Sequence, residues 1–110
     1  VRRAMADSSG MSSPAAIAQS GLQTAGLRLQ VSAHNIANMN TPGFAPQRVS
    51  EASAGPLSGV SAQVVPGDQP GVSLEQEAIE QMAARLAFKA NVFALRSAQD
   101  TTGTLLNVFA

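Results

Sequence analysis

A segment rich in small residues, 14–38, constrains the fold of this chain more than any other feature, because helical periodicity runs through it without interruption. Ser13 followed by Pro14 is typical of a helix start, with the serine as N-cap and the proline at the first helical position. Apolar and small side chains recur along the segment at intervals of seven residues. The repeating positions are Ala15, Leu22, Leu29 and Ile36, with Ala18, Ala25 and Ser32 between them. The sequence therefore predicts one long helix from Pro14 to Asn38.

Small residues beside this row predict that a second helix packs closely against the first. These residues are Gly21, Gly26 and Ala33. A glycine inside a helix costs about 1 kcal/mol relative to alanine, and tight packing would offset that cost. Leu27 and Val31 lie off the row, so apolar surface extends around the helix. An ordinary amphipathic core helix is the alternative interpretation.

Asparagines and a Pro-Gly pair mark the end of this helix. Asn38 and Asn40 favour left-handed cap conformations, and the proline at position 42 disfavours helix at the residue before it. The segment Thr41-Pro42-Gly43-Phe44 fits a type II turn, with glycine where a positive φ is required. We expect the chain to change direction here.

The middle of the chain is rich in proline, glycine and serine. Two strands are predicted there, at 47–51 and 60–65, as a β-hairpin. In the second strand, Val60, Ala62 and Val64 alternate with polar residues, the pattern of a half-buried strand. The residues around Gly67 and Pro70 then form a linker.

Ser73 and Gln76 form a capping box at the start of a second predicted helix, which runs to Asn107. Acidic residues follow in its first turns, near the positive end of the helix dipole. Two apolar rows run along this helix. The first comprises Ile79, Met82, Leu86, Ala90, Phe93 and Ser97, and the second comprises Phe88, Val92, Leu95, Thr102, Leu106 and Phe109. A helix that is apolar on two faces needs more than one packing partner.

These elements predict a mainly α fold, in which two long terminal helices pair as an antiparallel α-hairpin or coiled coil around a short β-hairpin or irregular middle segment. The predicted divisions are a flexible N-terminal segment 1–13, an N-terminal axial helix and turn 14–44, a middle segment 45–72 and a C-terminal axial helix 73–110. The second helix is the longer one, so its last turns overhang the start of the first. Those turns carry Leu105, Leu106 and Phe109.

Composition argues against several classes of function. Seven basic and seven acidic residues cancel and are scattered, which is not the pattern of a nucleic-acid-binding protein. The chain has no cysteine, one histidine and no nucleotide-binding motif, so we expect no metal, no cofactor and no small-molecule substrate. No apolar run approaches the ~20 residues that span a bilayer. We also expect no conventional secretory signal.

Few polar residues of the chain are of the types that carry out catalysis. A hydrolase would have to pair His34, the one histidine, with Asp100, and we expect no enzyme. Asn35, Asn38 and Asn91 have two open interpretations. They are either buried amides that fix the register of packed helices or surface and cap residues.

Two motifs resemble those of bacterial flagellar basal-body rod and hook proteins. The first runs from Ser20-Gly-Leu through Asn35-Ile-Ala-Asn38 to Asn40-Thr-Pro-Gly-Phe44. The second consists of Arg85, Phe88-Lys-Ala-Asn91-Val92 and Leu105-Leu106 in the second helix. The short middle segment is most similar to that of the small proximal rod proteins.

This resemblance implies a structural subunit of the flagellar rod that takes part in motility and has no catalytic activity. Its terminal helices would self-assemble with other rod subunits, and its middle segment would form an outer β-rich domain. The family's subunits are exported through the flagellar type III apparatus to the periplasmic rod. The implied assembly residues are Leu22, Leu29, Ile36, Leu86, Phe88, Asn91, Phe93, Leu105, Leu106 and Phe109. The implied turn and cap residues are Asn35, Asn38, Asn40, Pro42, Gly43 and Phe44.

A second hypothesis follows from departures from the family pattern. Phe88 stands where a tyrosine is common, and the middle segment is shorter than is typical. The chain could then be a reduced rod-protein paralogue that acts outside the rod as a helical interaction or assembly factor.

Overall fold

The protein is an elongated α-hairpin with a small antiparallel β-hairpin on its side. The computed structural model describes residues 13–109, with side chains described as far as Asn107. The elements are α1 (Pro14–Ala37), β1 (Arg48–Ser53), β2 (Val60–Val65) and α2 (Leu74–Phe109). The predicted fold class is confirmed. The predicted flexible segment lies outside the described residues, apart from Ser13.

Helix α1 begins as predicted. The Ser13 Oγ accepts a hydrogen bond from the Ala16 N–H at 3.1 Å, and Pro14 occupies the first turn. The helix ends one residue earlier than predicted, with Asn38 as C-cap at φ −104°. The prediction of left-handed caps at Asn38 and Asn40 is wrong, because Leu57 is the one non-glycine residue at positive φ among residues 13–109.

The Asn38 amide explains why no left-handed residue is needed at this end. Its Nδ2 donates to the His34 carbonyl at 2.9 Å, and its backbone N–H donates to the same carbonyl at 3.1 Å. The carbonyls that a left-handed cap would satisfy are therefore already paired. The predicted turn follows, with the Phe44 N–H donating to the Thr41 carbonyl at 3.2 Å and Gly43 at φ 76°.

The two strands pair antiparallel, with Arg48 opposite Val65 and Ser53 opposite Val60. The predicted bounds of the second strand are correct, whereas the first strand lies one to two residues further along than predicted. The predicted burial of Val60 and Val64 is wrong, since both side chains are exposed, whereas Ala62 is half-buried. The sheet has two strands and touches α1 along a small area, so most of its side chains remain in water.

Helices α1 and α2 run antiparallel. Ser32 near the end of α1 lies against Glu77 near the start of α2, and Ser13 at the start of α1 lies beside Thr101 and Thr102. Ser73 caps α2, its Oγ accepting from the Gln76 N–H at 3.3 Å. The molecule measures 62 × 25 × 17 Å, and its radius of gyration is 18.1 Å. A compact domain of this length would have a radius of gyration of about 13 Å.

The core is thin and consists of small and polar residues. The buried hydrophobic residues are Ala18, Ala25, Val31 and Ala84, and the buried polar residues are Thr24, Ser32, Asn35 and Glu77. Val31, which lies off the predicted row, is buried, so the packed surface of α1 extends beyond that row. The leucines of the predicted α1 row are only half-buried. Since small side chains set the spacing of the helices, larger ones lie at the edges of the contact.

Candidate assembly interface

A buried polar cluster joins α1, β1 and α2, and it fixes how the helical face is presented. The Asn35 side chain is fully buried and pairs with the backbone of Gln47 in both directions, at 2.8 Å and 2.9 Å. Its Nδ2 also lies 3.1 Å from the carboxylate of Glu77, which is fully buried as well. Arg48 of β1 completes the cluster with a 2.8 Å ion pair to Glu77. The second carboxylate oxygen of Glu77 has no partner among the described residues.

Arg28 forms a second, more exposed link between the same three elements. Its Nε lies 2.7 Å from Glu80 of α2 and 3.5 Å from Glu51 of β1. The hydrogen bond that Arg28 donates to Glu80, together with the charges of both carboxylates, raises the pKa of the Arg28 guanidinium. Arginine is already cationic across the physiological range, so this group remains charged there.

The helices approach each other closely at Gly21. A Cβ on this residue would overlap the Asn91 amide of α2, whose Nδ2 donates to the Ala87 carbonyl at 2.8 Å. Gly26, in contrast, has no atom within 4 Å of the position of a Cβ. The expected close approach of a second helix is therefore confirmed at Gly21 and wrong at Gly26 within this molecule.

Four large apolar residues of α2 form an exposed row along the helix, which we call the outer row. It consists of Ile79, Met82, Leu86 and Phe93, whose side chains are 66, 67, 70 and 73% exposed. Glu77 and Ala84, on the buried side, each lie two residues before a member of the row. Two residues correspond to ~200° around a helix, so the buried and exposed faces are opposite each other. The large side chains of the first predicted apolar row are thus mostly in solvent, with Phe93 at the edge of the groove beside the first turn of α1.

A second exposed apolar surface lies where α2 extends past the start of α1. Leu105 and Leu106 are 55 and 66% exposed there. Beside them is an open groove of about 750 Å³ between the first turn of α1 and α2. Its lining residues are Ser13, Pro14, Ala15, Phe93, Ala94, Ser97, Ala98, Gln99, Thr101 and Thr102. We call this end of α2 the overhang.

The predicted assembly residues fall into separate groups rather than one patch. Leu86 and Phe93 lie in the outer row, and Leu105 and Leu106 lie in the overhang. Five others are more covered than these: Leu22, Leu29, Ile36 and Asn91 are half-buried, and Phe88 is 40% exposed. The side chain of Phe109 lies outside the described side chains.

The predicted turn and cap residues also divide. Asn35 is not a surface cap, because it is fully buried, and its role in fixing the register of the helices stays a prediction. Asn38 is a cap, and Pro42 and Gly43 form the exposed turn. Phe44 is partly covered and packs edge-on against His34, with ring centroids 5.6 Å apart.

The residues considered for catalysis are not brought together. His34 lies near the end of α1, where α2 begins, whereas Asp100 lies beside the start of α1. The length of α1 separates them by about 30 Å, so the hydrolase pairing is wrong. Among residues 13–109, no group of three His, Cys, Asp or Glu side chains could hold a metal ion. Within the same range, neither helix has the length and apolarity to cross a membrane.

Sequence reasoning missed two contributors to this architecture. The sequence predicts only that the acidic residues early in α2, Glu77 among them, are favourable charges at a helix start. It predicts no role for Arg48. A carboxylate at the beginning of α2 looks the same in sequence whether it is solvated or buried. The available signal was the lone arginine at the start of β1, opposite in charge and on a neighbouring element.

The segment that carries most of α1 and the turn matches a known family. Residues 16–44 match the family model described as flagella basal body rod protein. This part of the chain is therefore similar to flagellar rod proteins, and we call it the rod-protein segment. The predicted resemblance is confirmed over these residues, which include the buried Asn35 and the turn at Pro42 and Gly43. No curated protein matches the chain.

This rod-protein segment supports a structural role in the flagellar basal body rod, with other flagellar components as partners. It also supports localisation at the basal body and a function in motility. Rod proteins are structural rather than catalytic. The second motif, in α2, lies outside the matched residues and stays a prediction.

Proposed function

We propose that this protein is an axial subunit of the flagellar rod, in which the outer row and the overhang contact neighbouring subunits. The observation that carries the proposal is the combination of a rod-protein segment in α1 with an α2 that leaves six large apolar side chains of the outer row and the overhang exposed. A helix pair that buries alanine and exposes leucine and phenylalanine is complete only within an assembly.

Burial supports the same proposal. Covering one large apolar side chain contributes ~1.5–3 kcal/mol. The outer row and the overhang together expose six such side chains. Contacts with neighbouring subunits that cover these side chains would therefore stabilise the assembly.

The rest of the proposed function follows from the rod-protein segment. The partners are copies of this chain and other rod subunits, and export proceeds through the flagellar type III apparatus to the periplasmic rod. The β-hairpin lies outside the helical axis as a small outer domain. The site residues are those of the outer row and the overhang, with Leu22, Leu29 and Ile36 at the edge of the helix contact.

The test is a comparison of Leu106→Asp with the unaltered chain in cells that assemble basal bodies. Leu106 is exposed in the monomer, so the variant should fold and be expressed normally. A charge in an apolar contact should exclude it from the rod, because an unpaired buried carboxylate is costly. Quantitative mass spectrometry of purified hook–basal bodies measures incorporation.

Asn107→Asp is the matched control, since it places the same charge one residue along on an exposed polar position. It should be incorporated at the normal level. Normal incorporation of Leu106→Asp would contradict the overhang as an interface. Absence of the unaltered chain from basal bodies would contradict the axial role itself and favour the alternative, a reduced paralogue that acts outside the rod.

A further inference from the structure

The outer row of α2 is symmetric about its central residue. Ile79 and Phe93 each lie seven residues from Leu86, one on either side. Seven residues are close to two helical turns, so these three side chains share one face. Met82 lies four residues before Leu86, and Ala90 lies four residues after it. The row therefore has the same apolar spacing when it is followed in either direction.

We propose that this row binds the same row of a second copy of the chain in an antiparallel, two-fold symmetric dimer. A two-fold axis pairs each surface with itself, so it requires a surface that is complementary to its own reversed copy. With Leu86 on the axis, Ile79 contacts Phe93 of the second copy. Met82 contacts Ala90 of the second copy, a large residue against a small one, as close helix packing favours.

Charges at the two ends of the row select the antiparallel orientation. Glu75 lies eleven residues before Leu86, and Arg96 lies ten residues after it. Both side chains are exposed, and neither has an ion-pair partner among residues 13–109. The antiparallel pair sets Glu75 beside Arg96 of the second copy at both ends. A parallel pair would set each of these charges against its own kind, which is unfavourable.

Two further basic residues lie along the same flank, closer to the axis. Arg85 donates a hydrogen bond to the Gln81 side chain at 3.3 Å, which holds it along its own helix. Lys89 is exposed, and its long aliphatic side chain allows the ammonium group to stay in solvent. Both remain at the rim of the contact, where water and salt screen them.

The dimer goes beyond the proposed function, because it describes the chain before incorporation. It covers the outer row and leaves Leu105 and Leu106 of the overhang free. A free subunit in this form cannot use the outer row for other contacts until the dimer separates. Failure of this inference would leave the axial role intact, since that role is tested by incorporation into the rod.

The absence of cysteine from the chain allows a direct test with single cysteine variants. Leu86→Cys should form a disulfide-linked dimer under mild oxidation, because the axis brings the two positions within the 4.4–6.8 Å between Cα atoms that a disulfide requires. Ile79→Cys and Phe93→Cys should each crosslink poorly alone and efficiently when mixed. Gln63→Cys, exposed on β2, is the control for random collision. Crosslinking of Leu86→Cys no faster than Gln63→Cys overturns the proposal.

A charge exchange tests the orientation without altering the apolar row. Sedimentation equilibrium of Glu75→Lys and of Arg96→Glu should each show a dimer dissociation constant raised by about tenfold, because two attractive pairs become repulsive. The double variant should restore the original value. A double variant that dimerises no better than the single variants overturns the antiparallel arrangement, and an unaltered chain that is monomeric at every concentration overturns the dimer.

Discussion

At the scale of single residues, two glycines of α1 that look equivalent in sequence have opposite surroundings. Gly21 lies against the Asn91 amide, whereas Gly26 faces open space. We expect Gly26→Ala to raise the free energy of unfolding by about 1 kcal/mol through helix propensity. We expect Gly21→Ala to lower the free energy of unfolding by about 1 kcal/mol. Displacing the Asn91 amide destabilises the protein by more than the higher helix propensity of alanine stabilises it. Urea denaturation followed by circular dichroism measures both.

The Gly21 effect can be separated from a general intolerance of alanine. In the Asn91→Ala background the obstructing amide is absent, so Gly21→Ala should no longer destabilise the protein. If Gly21→Ala and Gly26→Ala both stabilise the unaltered chain, the close contact at Gly21 is wrong.

The Arg48–Glu77 pair gives a second prediction at this scale. Arg48→Met leaves a fully buried carboxylate without its cation, and we expect a loss of about 3 kcal/mol in the free energy of unfolding. Glu77→Gln should cost less, about 1 kcal/mol, because Arg48 is 44% exposed and is solvated when it loses its partner. Thermal and urea denaturation measure these changes.

The double variant Arg48→Met/Glu77→Gln shows whether Arg48 stabilises the protein through its charge or through the packing of its side chain. Neutralising the buried acid should recover part of the stability lost in Arg48→Met. A double variant that is less stable than Arg48→Met would show that the cation matters through packing and not through its charge.

At the scale of elements, helix boundaries and the β-hairpin were predictable because local signals determine them. Ser13 with Pro14 and Ser73 with Gln76 mark the two helix starts through hydrogen bonds that form within a single turn. The alternating residues of β2 gave its bounds in the same way. Long-range packing has no such local signal.

The buried face of α2 could not be predicted, and the reason is physical. Hydrophobicity favours burying Leu86 and Phe93, but α1 presents Ala18, Ala25 and Ser32 at a short spacing that has no room for them. The small and polar residues of α2, such as Ala84, fill that space instead. The rule that large apolar residues lie inside holds for the finished assembly, and one chain contains only part of it.

The end of α2 allows a prediction about the local stability of a helix. Gly103 lies beyond the helix contact, with no atom within 4 Å of a Cβ position. Gly103→Ala should therefore stabilise the overhang locally by about 1 kcal/mol. Amide hydrogen exchange at residues 104–107 should slow by about fivefold, with no change at Ala84 in the helix contact.

Unchanged exchange at residues 104–107 in this variant would mean that the overhang opens by a route other than helix fraying. Gly26→Ala is the comparison, because a change within packed α1 should act on global unfolding and not on the overhang alone.

At the scale of the whole molecule, the elongated shape accounts for the thin core. The radius of gyration of 18.1 Å reflects two helices side by side with one small sheet, rather than layers around a centre. Its largest fully buried side chains are Glu77, Asn35 and Ser32. Polar groups of this kind fix the register of the helices and the position of the hairpin, while most of the large apolar surface remains available to other molecules.

The unequal lengths of the helices have a mechanical consequence. Helix α1 has 24 residues and α2 has 36, so α2 extends about 18 Å further. In a column of such subunits, each extension would lie alongside the next subunit instead of meeting it end to end. Torque on the column would then act as shear on the side-by-side contacts along the whole overlap. The contacts between successive subunits would be spread along the column and would not all lie in one transverse plane.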